Sequence, residues 1–415
     1  MDDKNLSQPD INIGLVGHID HGKTTLLWRL SGRWADVHSE ELKRGITIKL
    51  GYANVIIRKC TSCGYLSYHK KCPKCNSSTN ALRHVSFIDA PGHKMLMAAM
   101  LGGAAVIDAA ILVIAANEPF PQPQTKEHFL ALKSNGIKDI IIAQNKIDLV
   151  TKEEAIKQYY QIKEFFEKEN MKPIIIPCSA QQDINIDLIL EEILKLPKPQ
   201  RDLNEDPLFL VVRSFDVNKP GTDIDNIKGG VLGGTLKSGI LKVGDEIEIK
   251  PGLSIVKQTK QGKVVEYKTL TAKILELKTD IYSLNKALPY GNLAIQTSLD
   301  PGLTKADSLA GCVVGLKGKL PDITYKVKLK IYLFERLVGT KEEEIIQELK
   351  LNENLLLSIN TSITVGRIIN IKKEKDYFIV DCDLTIPIVP IKNSKVSIAR
   401  NYKGEWRLIG YGGIL

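Results

Sequence analysis

The 415-residue sequence predicts an α/β domain with a small inserted knuckle, followed by two β-barrel domains. Three observations predict it. Residues 11–200 alternate short β-branched runs with helix-like stretches, which argues for a mostly parallel sheet covered on both faces. Residues 208–415 show short alternating strands broken by Gly and Pro, with almost no helical periodicity, as all-β barrels do. Four of the seven cysteines fall at Cys60, Cys63, Cys72 and Cys75, inside the first region.

The strand candidates of the first region are Ile11–Val16, Asn54–Arg58, Val85–Ile88, Ala109–Ala115, Asp139–Ala143 and Pro173–Pro177. Helical stretches are expected at Lys23–Leu30, Thr151–Glu169 and Ile184–Leu196. Leu196–Pro207 holds three prolines and many charges and reads as a linker. Beyond it, LFLVVRSF, KGGVLGGTL, DEIEIKPG, GCVVGL, YKVKLKIYLF, YFIVDCDLTIPIV and SKVSIAR read as strands. Lys341–Lys350 is the main helical exception, a loop or a short helix. The expected domains are 1–205, with a knuckle inserted at 58–77, then 206–322 and 323–415.

Apolar residues make up 43% of the chain and charged ones 25%, which excludes a disordered or collagen-like polymer. No apolar run reaches the roughly 18 residues of a membrane helix, and the start MDDKNLSQPD is unlike a signal peptide. No membrane partner is expected. Clustered cysteines in an odd total are not a disulfide framework, so a reducing cytoplasm is the expected compartment. The net charge is +9, mostly from residues after 205, which permits a polyanionic partner. All seven histidines lie at or before His128, which confines imidazole chemistry to the first half.

Gly17-His18-Ile19-Asp20-His21-Gly22-Lys23-Thr24 matches G-x-x-x-x-G-K-[ST] between a predicted strand and a predicted helix. Glycines let backbone N–H groups face phosphates, and the helix N-terminus adds positive potential. Lys23 supplies a cation for the β- and γ-phosphates, and Thr24 offers a hydroxyl to Mg²⁺. His21, Gly22 and Thr25 complete this nucleotide-binding stretch. Asp20 would repel phosphate. It either caps the turn or meets a cation, and a second Mg²⁺ would resolve the repulsion.

Asn145-Lys146-Ile147-Asp148 ends an apolar strand. Asp148 can accept from guanine N1–H and N2–H₂; adenine lacks that donor pair and would leave the carboxylate unsatisfied. The ligand is therefore GTP or GDP. The Lys146 stem can cover the ring, and Cys178-Ser179-Ala180, with Gln181 next, can bring a backbone N–H to guanine O6. In Asp89-Ala90-Pro91-Gly92-His93, Asp89 is placed to hold Mg²⁺ through water, the Gly92 N–H to report the γ-phosphate, and His93 to orient the attacking water. Thr47, in Arg44-Gly45-Ile46-Thr47-Ile48, can complete the Mg²⁺ shell when a γ-phosphate is present.

Together GHIDHGKT, RGITI, DAPGH, NKID and PQPQTKEH resemble the translational GTPases of the elongation factor Tu type, which also carry two β-barrels after the GTPase domain. The resemblance implies an α/β P-loop GTPase domain with in-line attack of water on the γ-phosphate. It implies His93 as the residue that aligns the water, with Ile19 and Ile46 as a hydrophobic gate beside it.

Cys60-x₂-Cys63 and Cys72-x₂-Cys75 have the spacing of a tetrahedral structural Zn²⁺ site, with Gly64 and Pro73 suiting knuckle turns. Redox pairs or unligated thiols are the alternatives. Arg58, Lys59, Tyr65, Tyr68, His69, Lys70, Lys71 and Lys74 give it a basic and aromatic flank, either a solvated face or a contact for RNA or protein.

Elongation factor Tu lacks this insertion. With ELKRGITIKLGYA, NEPFPQPQT, RSFDVNKPGT and EWRLIGYG, the chain resembles the γ subunits of translation initiation factor 2, on the archaeal side. That resemblance implies a GTP-dependent carrier that places methionylated initiator tRNA on the small ribosomal subunit. It also implies a heterotrimer, with a β subunit on the GTPase domain and an α subunit on the second domain. The tRNA acceptor end would lie between those domains. Tyr52 is then either a stacking platform for the terminal base or a strand tyrosine, and a second cation would sit between Asp20 and the Gly45 carbonyl. A selenocysteine-specific elongation factor shares the motifs and the barrels and is the main alternative.

Overall fold

The run Asn-Ile-Gly-Leu-Val-Gly (β1, Asn12–Gly17) is buried at every position. That needs neighbours on both edges and cover on both faces. The computed structural model of the chain describes residues 7–34, 51–90, 102–259, 262–337 and 344–415. It divides into two compact units, Met1–Pro199 with Arg336–Ile345, and Gln200–Glu335 with Ile346–Leu415.

In the first unit six further strands join β1: β2 (Gly51–Cys60), β3 (Leu66–Ser67), β4 (Thr79–Asp89), β5 (Ala109–Ala115), β6 (Ile140–Asn145) and β7 (Ile174–Pro177). Their order is β3-β2-β4-β1-β5-β6-β7. From β4 to β7 the pairing is parallel, and β2 lies antiparallel to β4. Helices Lys23–Ser31 and Ile186–Lys195 bury Leu26, Leu27, Leu30, Ile189, Leu190 and Ile193 in one cluster with Ile13, Leu15, Phe87, Ile111 and Val113. From the other two helices, Pro123–Ser134 and Lys152–Lys168, Phe129 and Phe166 meet edge to face at 5.0 Å. The latter helix starts on a capping box, Thr151 with Glu154, as Ser/Thr-x-x-Glu before an apolar run should.

The expected helices are found within one or two residues of their ends. The helix Pro123–Ser134 was not foreseen; its proline sits at the first turn, where a missing N–H costs nothing. β2 and β4 outrun their predicted spans because their antiparallel ladder continues to Cys60 opposite Thr79, where the knuckle begins.

In the second unit two rings close. The first runs, in spatial order, through Glu246–Thr259, Val313–Leu316, Leu208–Phe215, Val231–Ser238, Leu293–Thr297 and Gly262–Thr279, and back to the first strand. Phe209, Val211, Leu232, Ile247, Ile249, Ile274, Ile295 and Val314 fill it. The second runs through Thr324–Leu333, Phe378–Ile388, Ser362–Lys373, Asn354–Ile359, Lys395–Tyr402 and Glu405–Ile414. Closure leaves no long open strand edge. No strand occupies 317–323, and residues 196–207 carry neither helix nor strand, as the prolines predict. The helical option at Lys341–Lys350 fails over its described part: Glu344–Lys350 has no helix, and Ile345 instead bridges Arg336. Among the described residues no helix is long and apolar enough to cross a membrane; this does not bear on crossing by strands.

Candidate nucleotide-binding site and cysteine knuckle

The loop after β1 needs its glycines. Gly17 has φ +145°, and a Cβ there would lie 2.3 Å from the Val113 carbonyl oxygen. Gly22 has φ +89°, with the Asn145 Nδ2 only 2.5 Å from any Cβ. Lys23 is nearly buried, its ammonium donating to the Gly17 and His18 carbonyls at 3.0 and 2.7 Å. It lies across the loop like a strut. Asp20 adopts a left-handed φ of +60° and is exposed; its carboxylate makes no hydrogen bond with a described residue, so no side-chain cap holds this turn.

Thr24 begins the helix and Asp89 ends β4, two chain positions brought together by the parallel β1–β4 pairing. The Thr24 hydroxyl donates to Asp89 Oδ2 at 2.8 Å. Both are hard oxygen donors of the kind Mg²⁺ takes, directly or through its bound water, so the pair fits that ion.

On the base side, Lys146 turns the chain out of β6 with φ +63°, leaving Asp148 exposed on the short turn Ile147–Leu149. Asn145 faces inward, 2% exposed. Its Nδ2 donates to the His21 carbonyl at 2.9 Å, and its Oδ1 accepts from the Ala180 N–H at 2.9 Å. One side chain thus ties the phosphate loop to the loop after β7. The Ser179 N–H goes to Ile184 and the Gln182 N–H to the Ser179 hydroxyl. The Ala180 N–H is therefore engaged by Asn145, and among the described residues the Gln181 N–H of this segment has no hydrogen-bond partner.

The contacts of three groups escaped the sequence reading, although His21 itself was placed in the nucleotide-binding stretch. Arg29, in the last turn of the helix Lys23–Ser31, donates to the Ala180 and Gln181 carbonyls, both at 2.8 Å. His21 faces the Val113 carbonyl and Glu118 through its two ring nitrogens, at 2.9 and 3.2 Å. Burial pulls His21 and His18 below the ordinary imidazole range despite the opposing pull of Glu118. His128 accepts the Gly17 N–H on Nδ1 at 3.0 Å, and burial pushes its pKa down to about 3. PQPQTKEH contains His128, but nothing local says that it reaches the phosphate loop. Gly45, Ile46, Thr47, Gly92 and His93 lie outside the described residues. Ile19 is half-buried, and Tyr52 is a half-buried strand residue opposite Ile88.

The four knuckle sulfurs converge, all within 4.8 Å of one another, with Cys60–Cys75 at 3.3 Å and Cys63–Cys72 at 3.5 Å. Those distances are too long for S–S bonds and near the ~3.8 Å edge of a ZnS₄ tetrahedron, so four soft donors fit Zn²⁺. The Ser77 hydroxyl and amide hold the Cys75 thiol down to about 6. The flank is divided: Arg58 is buried and Tyr68 packs on the core, its ring filling the space beside Gly32, while Lys59, Lys70, Lys71 and Lys74 stay exposed. Lys74 lies 3.9 Å over the Tyr65 ring.

Comparison with known proteins gives the family. The family described as Elongation factor Tu GTP binding domain matches residues 8–199, and that described as Initiation factor eIF2 gamma, C terminal, matches 325–414. The chain is 50% identical to translation initiation factor 2 subunit gamma of Methanocaldococcus jannaschii, covering 99% of this chain and 98% of the relative. It is 49% identical to the protein of the same name from Pyrococcus horikoshii, covering 98% and 97%. Among solved structures it resembles a bacterial selenocysteine-specific elongation factor, with TM-score 0.72 and 24% identity, over 97% of this chain and 58% of that one. It also resembles elongation factor SelB of Methanococcus maripaludis, with TM-score 0.71 and 22% identity, over 98% and 79%. At those identities the likeness is one of fold.

Proposed function

The chain belongs to the family of translation initiation factor 2 subunit gamma, and on that premise we propose that it carries methionylated initiator tRNA to the small ribosomal subunit under the control of its own GTPase cycle. Two things carry the reading: full-length identity near 50% to archaeal γ subunits, and a nucleotide site whose two halves are joined through Asn145.

In this reading GTP lays its phosphates over the N–H groups of Gly17–Thr24, and Lys23 leaves its two loop carbonyls for the β- and γ-phosphates. Thr24 and Thr47 would hold Mg²⁺ directly and Asp89 through water, and the ion would offset the charge that builds on the transferred phosphoryl group. Asp20 and the Gly45 carbonyl face a second cation. Asp148, Lys146 and the segment Ser179-Ala180-Gln181 select guanine. His93 aligns the water for in-line attack, Gly92 senses the γ-phosphate, and Ile19 with Ile46 gates the approach. The products are GDP and phosphate, and their formation releases the tRNA. Tyr52 offers its ring to the terminal base. The cysteines hold Zn²⁺ as a structural staple. The partners are the α and β subunits and the small ribosomal subunit, the compartment is cytoplasmic, and the domains are 1–205, 206–322 and 323–415.

Retention of initiator and elongator Met-tRNA tests this, with the α subunit present and either a GTP analogue or GDP bound. Selective retention of the initiator in the GTP-analogue state is expected. Equal retention of both tRNAs sinks the proposal. The selenocysteine-factor alternative has the shared GTPase motifs and a fold likeness at 22–24% identity behind it, against full-length identity near 50% to the γ subunits.

A further inference from the structure

The end of β6 grips the phosphate loop twice, and the nucleotide reading uses only one of the grips. Asn145 holds the His21 carbonyl at 2.9 Å. Its neighbour Gln144 points to the opposite face of the strand and starts a second route. The Gln144 Nε2 donates to Gln158 Oε1 at 3.0 Å, and the Gln158 Nε2 donates to the Glu118 carbonyl at 2.9 Å. Both glutamines are buried. The Glu118 N–H donates back to the Ala115 carbonyl, so this residue is anchored through both of its peptide groups. Its carboxylate then meets His21 Nε2 at 3.2 Å, with the Gln122 amide donating to the same oxygen at 3.4 Å. The other ring nitrogen of His21 faces the Val113 carbonyl at 2.9 Å, and the ring is buried.

A histidine buried only for packing has one N–H to satisfy when neutral, and the Val113 carbonyl is enough for that. The carboxylate on the second nitrogen, itself anchored through two glutamines, calls for another account. The backbone of His21 supplies it. In a trans peptide the N–H points away from the carbonyl of the same unit. The His21–Gly22 peptide is trans and its carbonyl turns to Asn145, so the Gly22 N–H turns the other way. Among the described residues that N–H has no hydrogen-bond partner. A glycine-loop N–H left open just before a helix is the kind of donor that takes a phosphate oxygen. From this geometry we infer that Glu118 is a positioning residue for the phosphate loop: by holding the His21 ring it fixes the His21–Gly22 peptide with its N–H aimed at the phosphates of the nucleotide. Base reading by Asp148 and residues 179–181 does not pass through that ring, so the contribution belongs to the phosphates alone.

The inference rests on the proposed nucleotide site, and one experiment tells the two apart. GDP, inosine diphosphate and ADP compete with a fluorescent GDP analogue on the parent chain, on Glu118→Ala and on Glu118→Gln. In Glu118→Ala, affinity for GDP and for inosine diphosphate should fall together by about tenfold, as for one hydrogen bond to a charged group. The ratio between those two ligands, which reports the contact of Asp148 with the guanine amino group, should stay within about twofold of the parent. Glu118→Gln should bring GDP affinity back to within about threefold of the parent, because its amide donates to Nε2 while Nδ1–H keeps the Val113 carbonyl. Unchanged GDP affinity in Glu118→Ala overturns the inference. So does a collapse of the GDP-to-inosine-diphosphate ratio, the mark of a general structural role. A glutamine variant as weak as the alanine one overturns it too. A parent chain that binds ADP as tightly as GDP overturns the nucleotide reading itself, and the inference with it.

Discussion

The Gly17 N–H donates to His128 Nδ1 at 3.0 Å, so a buried imidazole holds the first peptide of the phosphate loop from behind. That bond exists only if Nδ1 is bare, which fixes the ring as neutral with its proton on Nε2. Lys23, whose charge faces the same region, reinforces the neutral form.

The first prediction is a pH dependence. Burial lowers His128 from 6.5 to about 3 in the folded chain. Between those values the unfolded chain binds the extra proton, so this contribution is complete above pH 6.5 and is lost as pH falls toward 3. The slope is at most about 1.4 kcal/mol per pH unit. His128→Asn keeps an acceptor but cannot titrate. Denaturant unfolding of both proteins between pH 4 and 8 should show a shallower acid decline for the variant; identical slopes refute the argument.

The second prediction concerns Asn145. Asn145→Ala removes two buried bonds and strands the His21 carbonyl and the Ala180 N–H, at roughly 1–3 kcal/mol each. Fluorescent-GDP titration should show affinity lower by about tenfold or more. Asp148→Asn is expected to behave differently, moving preference from guanine to xanthine nucleotides with the fold intact. A variant that still prefers GTP refutes the base-reading role.

Removal of the metal gives the third prediction. Reduced, chelator-free protein should contain about one zinc per chain, and Cys72→Ser should lose it. The knuckle lies at the far end of the β2–β4 ladder from Asp89, so GDP affinity should change by less than about threefold. Protein with no stoichiometric zinc, or with a Cys60–Cys75 disulfide under reducing conditions, removes the zinc assignment.

What the sequence made legible follows from how local each signal is. The strand–glycine loop–helix passage, Asn145 to Asp148 and the paired cysteines are contiguous, and their chemistry is set by neighbours one to eight residues away. The closed rings were foreseen as barrels because alternation and turn residues are local too. Of their longest strands, Glu246–Thr259 was read only over its first half, in DEIEIKPG, and Gly262–Thr279 was missed, because both are largely exposed toward the hairpin end and lack the half-buried alternation of a core strand there. His128 was illegible for a different reason. Its partner, Gly17, lies 111 residues earlier, and a lone histidine on a helix carries no sign of such a contact.

Arg29 was illegible in the same way, and it gives the last prediction. It sits at the end of the first helix, where a cation is favoured by the helix dipole whatever else it does. The structure gives it a second task, a fork of two bonds to the Ala180 and Gln181 carbonyls, beside a Trp28 ring 4.5 Å away. Arg29→Lys keeps the charge at the helix end and loses the fork, because the two carbonyls are met by two separate nitrogens, Nε and Nη2, held in one rigid plane, and a lysine offers a single nitrogen. The fork is partly solvent-exposed, which limits its worth to about 1–2 kcal/mol. GDP dissociation, measured by displacement of a fluorescent analogue, should therefore speed up about 5- to 30-fold in Arg29→Lys, with guanine selectivity kept through Asp148. A lysine variant as slow as the parent, beside a fast Arg29→Ala, would show that charge alone matters and would undo the positioning role.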